Sequence, residues 1–255
     1  MAPIISYKGA TSGSDNNPTS GTFSVSGLTW NAGDVAISCW YTSDYPKILT
    51  GSAAFYAAQT LIRSGSDAAT GSYYIAYRVL QAGDTTWTWG SPSDVGSTTV
   101  WGTAVFGTTF ATPLETSSSV STQAANDPQS PAINTLSSGS CVLSFFAKLN
   151  DYTSVVPPTN FSYAVSHSST SGNDASMGLA YFIAGNPGTV TPAVWTLGGG
   201  AVGDPAFVWT GGLKTGSNPA LFTRFWVGDG FTYRYQASPT AGAGGAKAGA
   251  GAPGR

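Results

Sequence analysis

The chain reads as an all-β protein, a jelly-roll-like antiparallel β-sandwich built from two pseudo-repeated halves, and three observations predict this. Apolar residues alternate with polar ones and seldom recur at the three-and-four spacing of a helix. Gly, Pro, Ser and Thr interrupt every window long enough to be helical. The third observation is that one β pattern occurs twice. Gly33-Asp34-Val35-Ala36-Ile37-Ser38-Cys39-Trp40 returns 106 residues later as Gly139-Ser140-Cys141-Val142-Leu143-Ser144-Phe145-Phe146. Ala76-Tyr77 matches Ala180-Tyr181 at an offset of 104, and Trp89 matches Trp195 at 106. Offsets this steady predict a duplicated β unit.

Taken in order, residues 1–21 contain Asp15-Asn16-Asn17-Pro18 and several Gly and Ser, which suits an extended arm ahead of the first strand. Strands are expected near 22–29, 34–41, 54–62, 72–80, 86–89 and 98–106. The second half repeats them near 132–136, 140–148, 160–167, 177–184, 192–197 and 206–210, and a last pair follows at 221–227 and 231–236. The pseudo-repeats span about 22–110 and 132–236. They are expected to share one core in a single sandwich domain, 22–237, because neither half buries its apolar face alone. The clearest hairpin is the last, where Gly228-Asp229-Gly230 joins two aromatic strands. Residues 238–255 are rich in Gly and Ala with no group to anchor a core, and predict a flexible tail. Cys39 and Cys141 each fall on the repeated strand and read as small buried hydrophobes, with a disulfide only where the two strands face each other closely.

Composition narrows the function classes. Of 255 residues only 10 are Lys or Arg and 12 Asp or Glu, for a formal net charge of −2. Ten thinly spread cations argue against a nucleic-acid partner, which needs them clustered. The 8 Trp, 12 Tyr and 12 Phe argue for a folded body. The N-terminus carries no basic region followed by an apolar run, so no secretory signal is visible, and no apolar stretch reaches membrane-spanning length. Assembly in a cytoplasm is the expectation.

Chemistry-bearing residues are sparse. A Ser-His-Asp arrangement has only His167 to draw on, at a strand end among serines and without a nucleophile elbow. One His and two strand cysteines do not make a zinc site. A carboxylate pair for glycoside hydrolysis would come from Glu115 and eleven Asp, but Asp34, Asp84, Asp174, Asp204 and Asp229 sit in turn contexts. Asp15-Asn16-Asn17 and Asn173-Asp174 offer oxygen ligands without the loop that calcium requires. Accordingly no catalytic, metal or cofactor residue is assigned. The aromatics remain as contact candidates: Trp226, Phe231, Tyr233 and Tyr235 on the last hairpin, with Arg224 and Arg234 beside them, and Trp87, Trp89 and Trp101 as a sugar-stacking alternative to core packing.

Leu28-Thr29-Trp30-Asn31-Ala32-Gly33-Asp34-Val35-Ala36-Ile37, followed by Tyr77-Arg78-Val79-Leu80-Gln81-Ala82-Gly83-Asp84-Thr85, resembles β-sandwich virion proteins of tailed bacteriophages and related phage-like particles. Those proteins carry a tryptophan-x-x-Gly-Asp strand opening and a tyrosine-Arg strand with a Gly-Asp turn. The resemblance covers about residues 22–110 and extends more weakly through 236. The second copy departs from it, with Ser138 for Trp30 and Phe182 for Arg78. It implies a non-enzymatic virion component: a tail fibre or spike, a capsid decoration or a head fibre. The implied partners are other virion proteins and copies of itself, with a host surface glycan as a further one and no membrane insertion. The terminal segments would serve as assembly arms. A carbohydrate-binding module acting through Trp87, Trp89 and Trp101, a polysaccharide-degrading enzyme using Asp residues and Glu115, and a self-assembling surface filament subunit are the alternatives.

Overall fold

The structure, a computed structural model, describes residues 5–16, 19–43, 49–90, 97–107, 112–150, 152–169, 174–199, 204–214, 224–227 and 230–233. The chain forms two compact units, 1–216 and 217–255.

In the N-terminal half of the first unit, β1 (Ser6–Asn16), β2 (Ser20–Ser24), β3 (Val35–Thr42) and β4 (Thr50–Gly51) precede a short helix α1 (Ala53–Ala58). Then come β5 (Thr60–Asp67), β6 (Gly71–Val79), β7 (Thr86–Gly90) and β8 (Thr98–Gly107). The C-terminal half holds β9 (Leu114–Ser117), β10 (Ser121–Ala124), β11 (Ile133–Thr135), β12 (Cys141–Leu149) and β13 (Ser154–Val156). It ends with β14 (Ser162–Ser169), β15 (Ala175–Ile183), β16 (Gly188–Val190), β17 (Thr196–Gly198) and β18 (Pro205–Leu213).

The duplication extends to topology and register. One main sheet runs β1-β8-β3-β6-β5, and the other runs β10-β18-β12-β15-β14 with β9 also on β18. Substituting each strand by its repeat turns one order into the other. Val35 pairs with Val79 and Phe106, as Cys141 pairs with Ile183 and Leu213. Register shifts recur as well: between Leu61 and Arg63 on β5 and between Tyr163 and Val165 on β14, and around Lys8 on β1 and Glu115 on β9. The small strands lie outside these sheets, as β2-β7-β4 in the first half and as β11-β16 and β13-β17 in the second. Pairing is therefore nested, β1 with β8, β2 with β7 and β3 with β6, in an all-β sandwich of antiparallel sheets.

The two halves share a central core, and each buries a further, outer core beneath its small strands. Alternation along β3 explains how. Val35, Ile37, Cys39 and Tyr41 face the other half's Cys141, Leu143, Phe145 and Ala147 across a central core. Ala36 and Trp40 turn the other way, toward Phe23, Phe55, Trp87 and Trp89 under the small sheet. In the second half, Phe146 meets Trp195 and Val208, and Val142 meets Ile133 and Ala184. Every residue of β3 is thus buried.

Two local expectations are corrected. Residues 6–16 are the strand β1, paired with β8 along its length, in place of an arm. Their SYKGATSGSDN sequence lacks apolar alternation because partner rings lie over it: a Cβ on Gly13 would stand 2.7 Å from Trp101 Cζ2. Residues 53–58 are helical where a strand was expected from 54, because Ser52 Oγ accepts from Phe55 N at 3.1 Å and caps an Ala-rich turn. The second unit contains β19 (Arg224–Val227) and β20 (Gly230–Tyr233), the expected hairpin. Residues 234–255, most of them the expected tail, lie outside the described residues.

Candidate functional site

The tryptophans proposed as a sugar platform are part of the outer core of the first half. Trp89 is fully buried, and its ring meets Trp40 at 6.0 Å and Trp101 at 5.1 Å, both edge-on. Trp87 is 7% exposed, and the Arg78 guanidinium lies 5.3 Å from its ring centre. Trp101 packs against the same cluster. The rings of Trp87 and Trp89 are thus taken up largely in packing, while Trp101 is half-buried.

On the hairpin, Trp226 stands opposite Phe231 and Arg224 opposite Tyr233. Cross-strand partners in this register share a face, so the backbone gathers Arg224, Trp226, Phe231 and Tyr233 on one side of the ribbon. Tyr235 and Arg234 lie outside the described residues.

Three of the carboxylates weighed for catalysis, Asp34, Asp84 and Glu115, serve turns and a bulge. Asp34 Oδ2 accepts from Asn31 N at 2.8 Å. Asp84 forms two bonds with Arg78, 2.7 Å from Nε and 2.6 Å from Nη2, and accepts from Gln81 N. Burial by itself would raise the Asp84 carboxyl, but the bonds from Arg78 and Gln81 hold it below the ordinary value. Glu115 Oε1 accepts from Ser140 Oγ at 2.5 Å and from Leu136 N at 3.2 Å. Position 140 repeats position 34, so a carboxylate on the bulge replaces the one on the turn.

His167 lies where β14 of one half crosses β1 of the other, with Nδ1 3.2 Å from Ser12 Oγ. Burial lowers its pKa. Beside it, Tyr7 donates to Ala164 O at 2.6 Å. On the opposite seam Arg63 donates to Ser117 Oγ at 3.0 Å and to Ser118 O. Cys39 and Cys141 are buried free thiols, and burial raises both pKa values. Among the described residues, no three His, Cys, Asp or Glu side chains gather in a way that holds a metal ion, and no helix is long and apolar enough to cross a membrane.

Two arrangements escaped the sequence reading. The first is a polar nest at one end of the C-terminal half. Lys148 is fully buried with Nζ on Ala125 O at 2.8 Å and 5.4 Å from the Tyr152 ring. Burial lowers its pKa, opposed by Asp204 and Asp127. Burial and then Asp204 push the Tyr152 phenol up to about 12. Asn150 donates to Asp204. The available signal was a lysine on the same parity as Val142, Ser144 and Phe146. The second is an open groove of about 380 Å³ lined by Thr116, Ser117, Ser118, Ile133, Asn134 and Thr189, which only tertiary packing assembles. Comparison of the chain with protein-family models, curated proteins and solved structures finds no match.

Proposed function

We propose that this chain is a non-enzymatic structural or host-adhesion component of a bacteriophage or phage-like particle, working through subunit assembly and surface contacts. The observation that carries the reading is the duplicated antiparallel β-sandwich body, with central strands buried on both faces; we read its nested pairing as that of a jelly roll. Jelly rolls are a recurrent architecture of viral shells and lectins, so this step is an analogy of fold. The sequence resemblance to phage virion proteins points the same way. Asp34, Asp84 and Glu115 are engaged in turns and a bulge, which favours docking over chemistry at those three. Antibody raised against the purified chain is expected to label particles sedimented from a lysate of the source cells, seen by negative-stain microscopy. Bare particles, with the chain left in the supernatant, overturn the reading.

The lectin-like alternative has one observation in its favour. The groove at Thr116, Ser117, Asn134 and Thr189 is uncharged, hydroxyl- and amide-lined, and of a size that suits one or two sugar rings. A glycan array with the wild-type chain and Asn134→Ala tests it: binding lost in the variant supports this groove, and a blank array removes it.

A further inference from the structure

The groove of the C-terminal half has an uncharged lining, yet its hydrogen-bonding capacity is one-sided. Ser117 Oγ accepts from Arg63 Nη2 at 3.0 Å, and Ser118 Oγ accepts from Thr210 N at 3.0 Å. Asn134 Oδ1 accepts from Thr189 Oγ1 at 2.6 Å. Each of these side chains has an oxygen already engaged and an O–H or N–H left to give, so the groove meets a ligand mainly as a donor. Arg63 adds charge. Its guanidinium holds the Ser117 and Ser118 wall, with Nε and Nη2 also donating to Ser118 O at 3.2 and 3.1 Å, and its Nη1 donates to Ile62 O at 2.8 Å. All of these acceptors are neutral, and among the described residues no carboxylate is bonded to this cation. Glu115, the carboxylate next to Thr116, is committed to Ser140 Oγ and Leu136 N.

The duplicate lacks both features at the equivalent place. Phe106 pairs with Val35 as Leu213 pairs with Cys141, so Val105 repeats Gly212, and their partners Gly9 and Thr116 repeat each other. Leu28 repeats Asn134 at the offset of 106. In the first half a Cβ on Gly9 would stand 3.1 Å from Leu28 Cδ2, so a leucine covers the glycine and fills the space that Thr116 and Asn134 border in the second. Arg63 and Val165 each follow the register shift of their strand, opposite Ile75 and Leu179. Val165 is buried and uncharged, with Cγ2 2.7 Å from where a Cβ on Gly102 would stand. One seam is thus packed shut and neutral where the other is open, donor-lined and backed by a guanidinium. Packing alone is satisfied by the first arrangement, so two independent departures that meet at one groove point to a ligand.

We propose that this groove binds a sugar bearing a carboxylate, a uronic or sialic acid residue of a surface glycan. This rests on the lectin-like reading of the groove and names its ligand class. Ser117, Ser118 and Asn134 give donors to the carboxylate and the ring hydroxyls, while Ala132 and Ile133 supply apolar surface for the ring carbons. Hydrogen bonds to an anion are about twice as strong as those to a neutral acceptor. Arg63, by donating to Ser117 Oγ, polarises that hydroxyl and makes it a better donor in turn.

The test is an array printed with uronic- and sialic-acid oligosaccharides beside their methyl esters, which keep the shape and lose the charge. Full-length wild type is expected to bind the acids about tenfold more tightly than the esters, with the difference shrinking between about 50 and 300 mM salt. Arg63→Gln should bring the acids down to the level of the esters, and Arg63→Lys should keep the preference. Asn134→Leu, which copies the plugged first half, should abolish binding of both. The wild-type ratio decides even where a substitution unfolds the chain. Acids and esters bound equally well overturn the carboxylate assignment and leave the lectin-like reading of the groove in place. A preference for acids that survives in Arg63→Gln, or binding that persists in Asn134→Leu, overturns it as well. A blank array removes the lectin-like reading and this ligand with it.

Discussion

Arg78 shows how much one side chain joins. Its guanidinium holds both Asp84 oxygens, donates to Ala58 O at 2.9 Å and covers the Trp87 ring. Arg78→Ala is expected to destabilise the fold by about 2–3 kcal/mol in urea unfolding, because it leaves the largely buried Asp84 unpaired. A loss below about 0.5 kcal/mol would mean that the pair is no more than a surface ion pair. His167 gives the pH dependence. Its folded pKa lies below the ordinary 6.5, so the folded state binds the proton less well than the unfolded one. Stability is therefore complete above that value and falls as pH drops through it toward the folded pKa. The melting temperature of wild type is expected to decrease between about pH 7.5 and 5, and His167→Gln should flatten that part of the profile. An equal slope in the variant assigns the effect to another group.

At the scale of elements, the two halves keep the same aromatic pair in place. Trp40 and Trp89 stand 6.0 Å apart in the first, and Phe146 and Trp195 at the repeated positions stand 4.8 Å apart in the second. Their polar tips differ. Trp195 Nε1 donates to Ser144 Oγ at 3.1 Å, while the buried Trp89 Nε1 meets no partner among the described residues. Trp195→Phe is thus expected to cost about 1 kcal/mol more than Trp89→Phe in denaturant unfolding, since only the first removes a buried hydrogen bond. Equal costs would show that ring volume alone decides. The edge strands carry a second repeated device. β1, β5 and β14 each carry a bulge and β9 an equivalent register shift, and Lys8 and Glu115 occupy the first and the fourth. Bulges and edge charges hinder strand-to-strand pairing between molecules. This directs self-association away from the main-sheet edges.

Across the first unit, the two halves interact as the subunits of an isologous dimer do. β14 lies on β1 through Tyr7 and His167, and at the equivalent seam β5 meets the end of β9 through Arg63. Because β3 and β12 contribute side chains to the central core and to an outer core at once, neither half keeps its own core intact when the central one is lost. Calorimetry of the full chain is expected to show one transition for this unit, and Leu143→Ala should lower it as a whole. Two separated transitions, with only one moved by the substitution, would show that the halves fold independently.

The sequence by itself determined the β class, the duplication and the inward parity of the repeated strand. Steric alternation and repeated landmarks such as Gly33 and Gly139, or Trp89 and Trp195, are local signals. It also pointed to turns for Asp34 and Asp84, where Gly-Asp spacing records the local backbone. What tertiary structure decided was non-local. β1 carries no apolar alternation and is a strand because β8 pairs with it. The turn after Gly51 is helical because Ser52 caps it. The cores number more than one because both faces of β3 and β12 are covered. The groove and the Lys148 nest join residues dozens of positions apart, and only the packing of one element on another sets their distances.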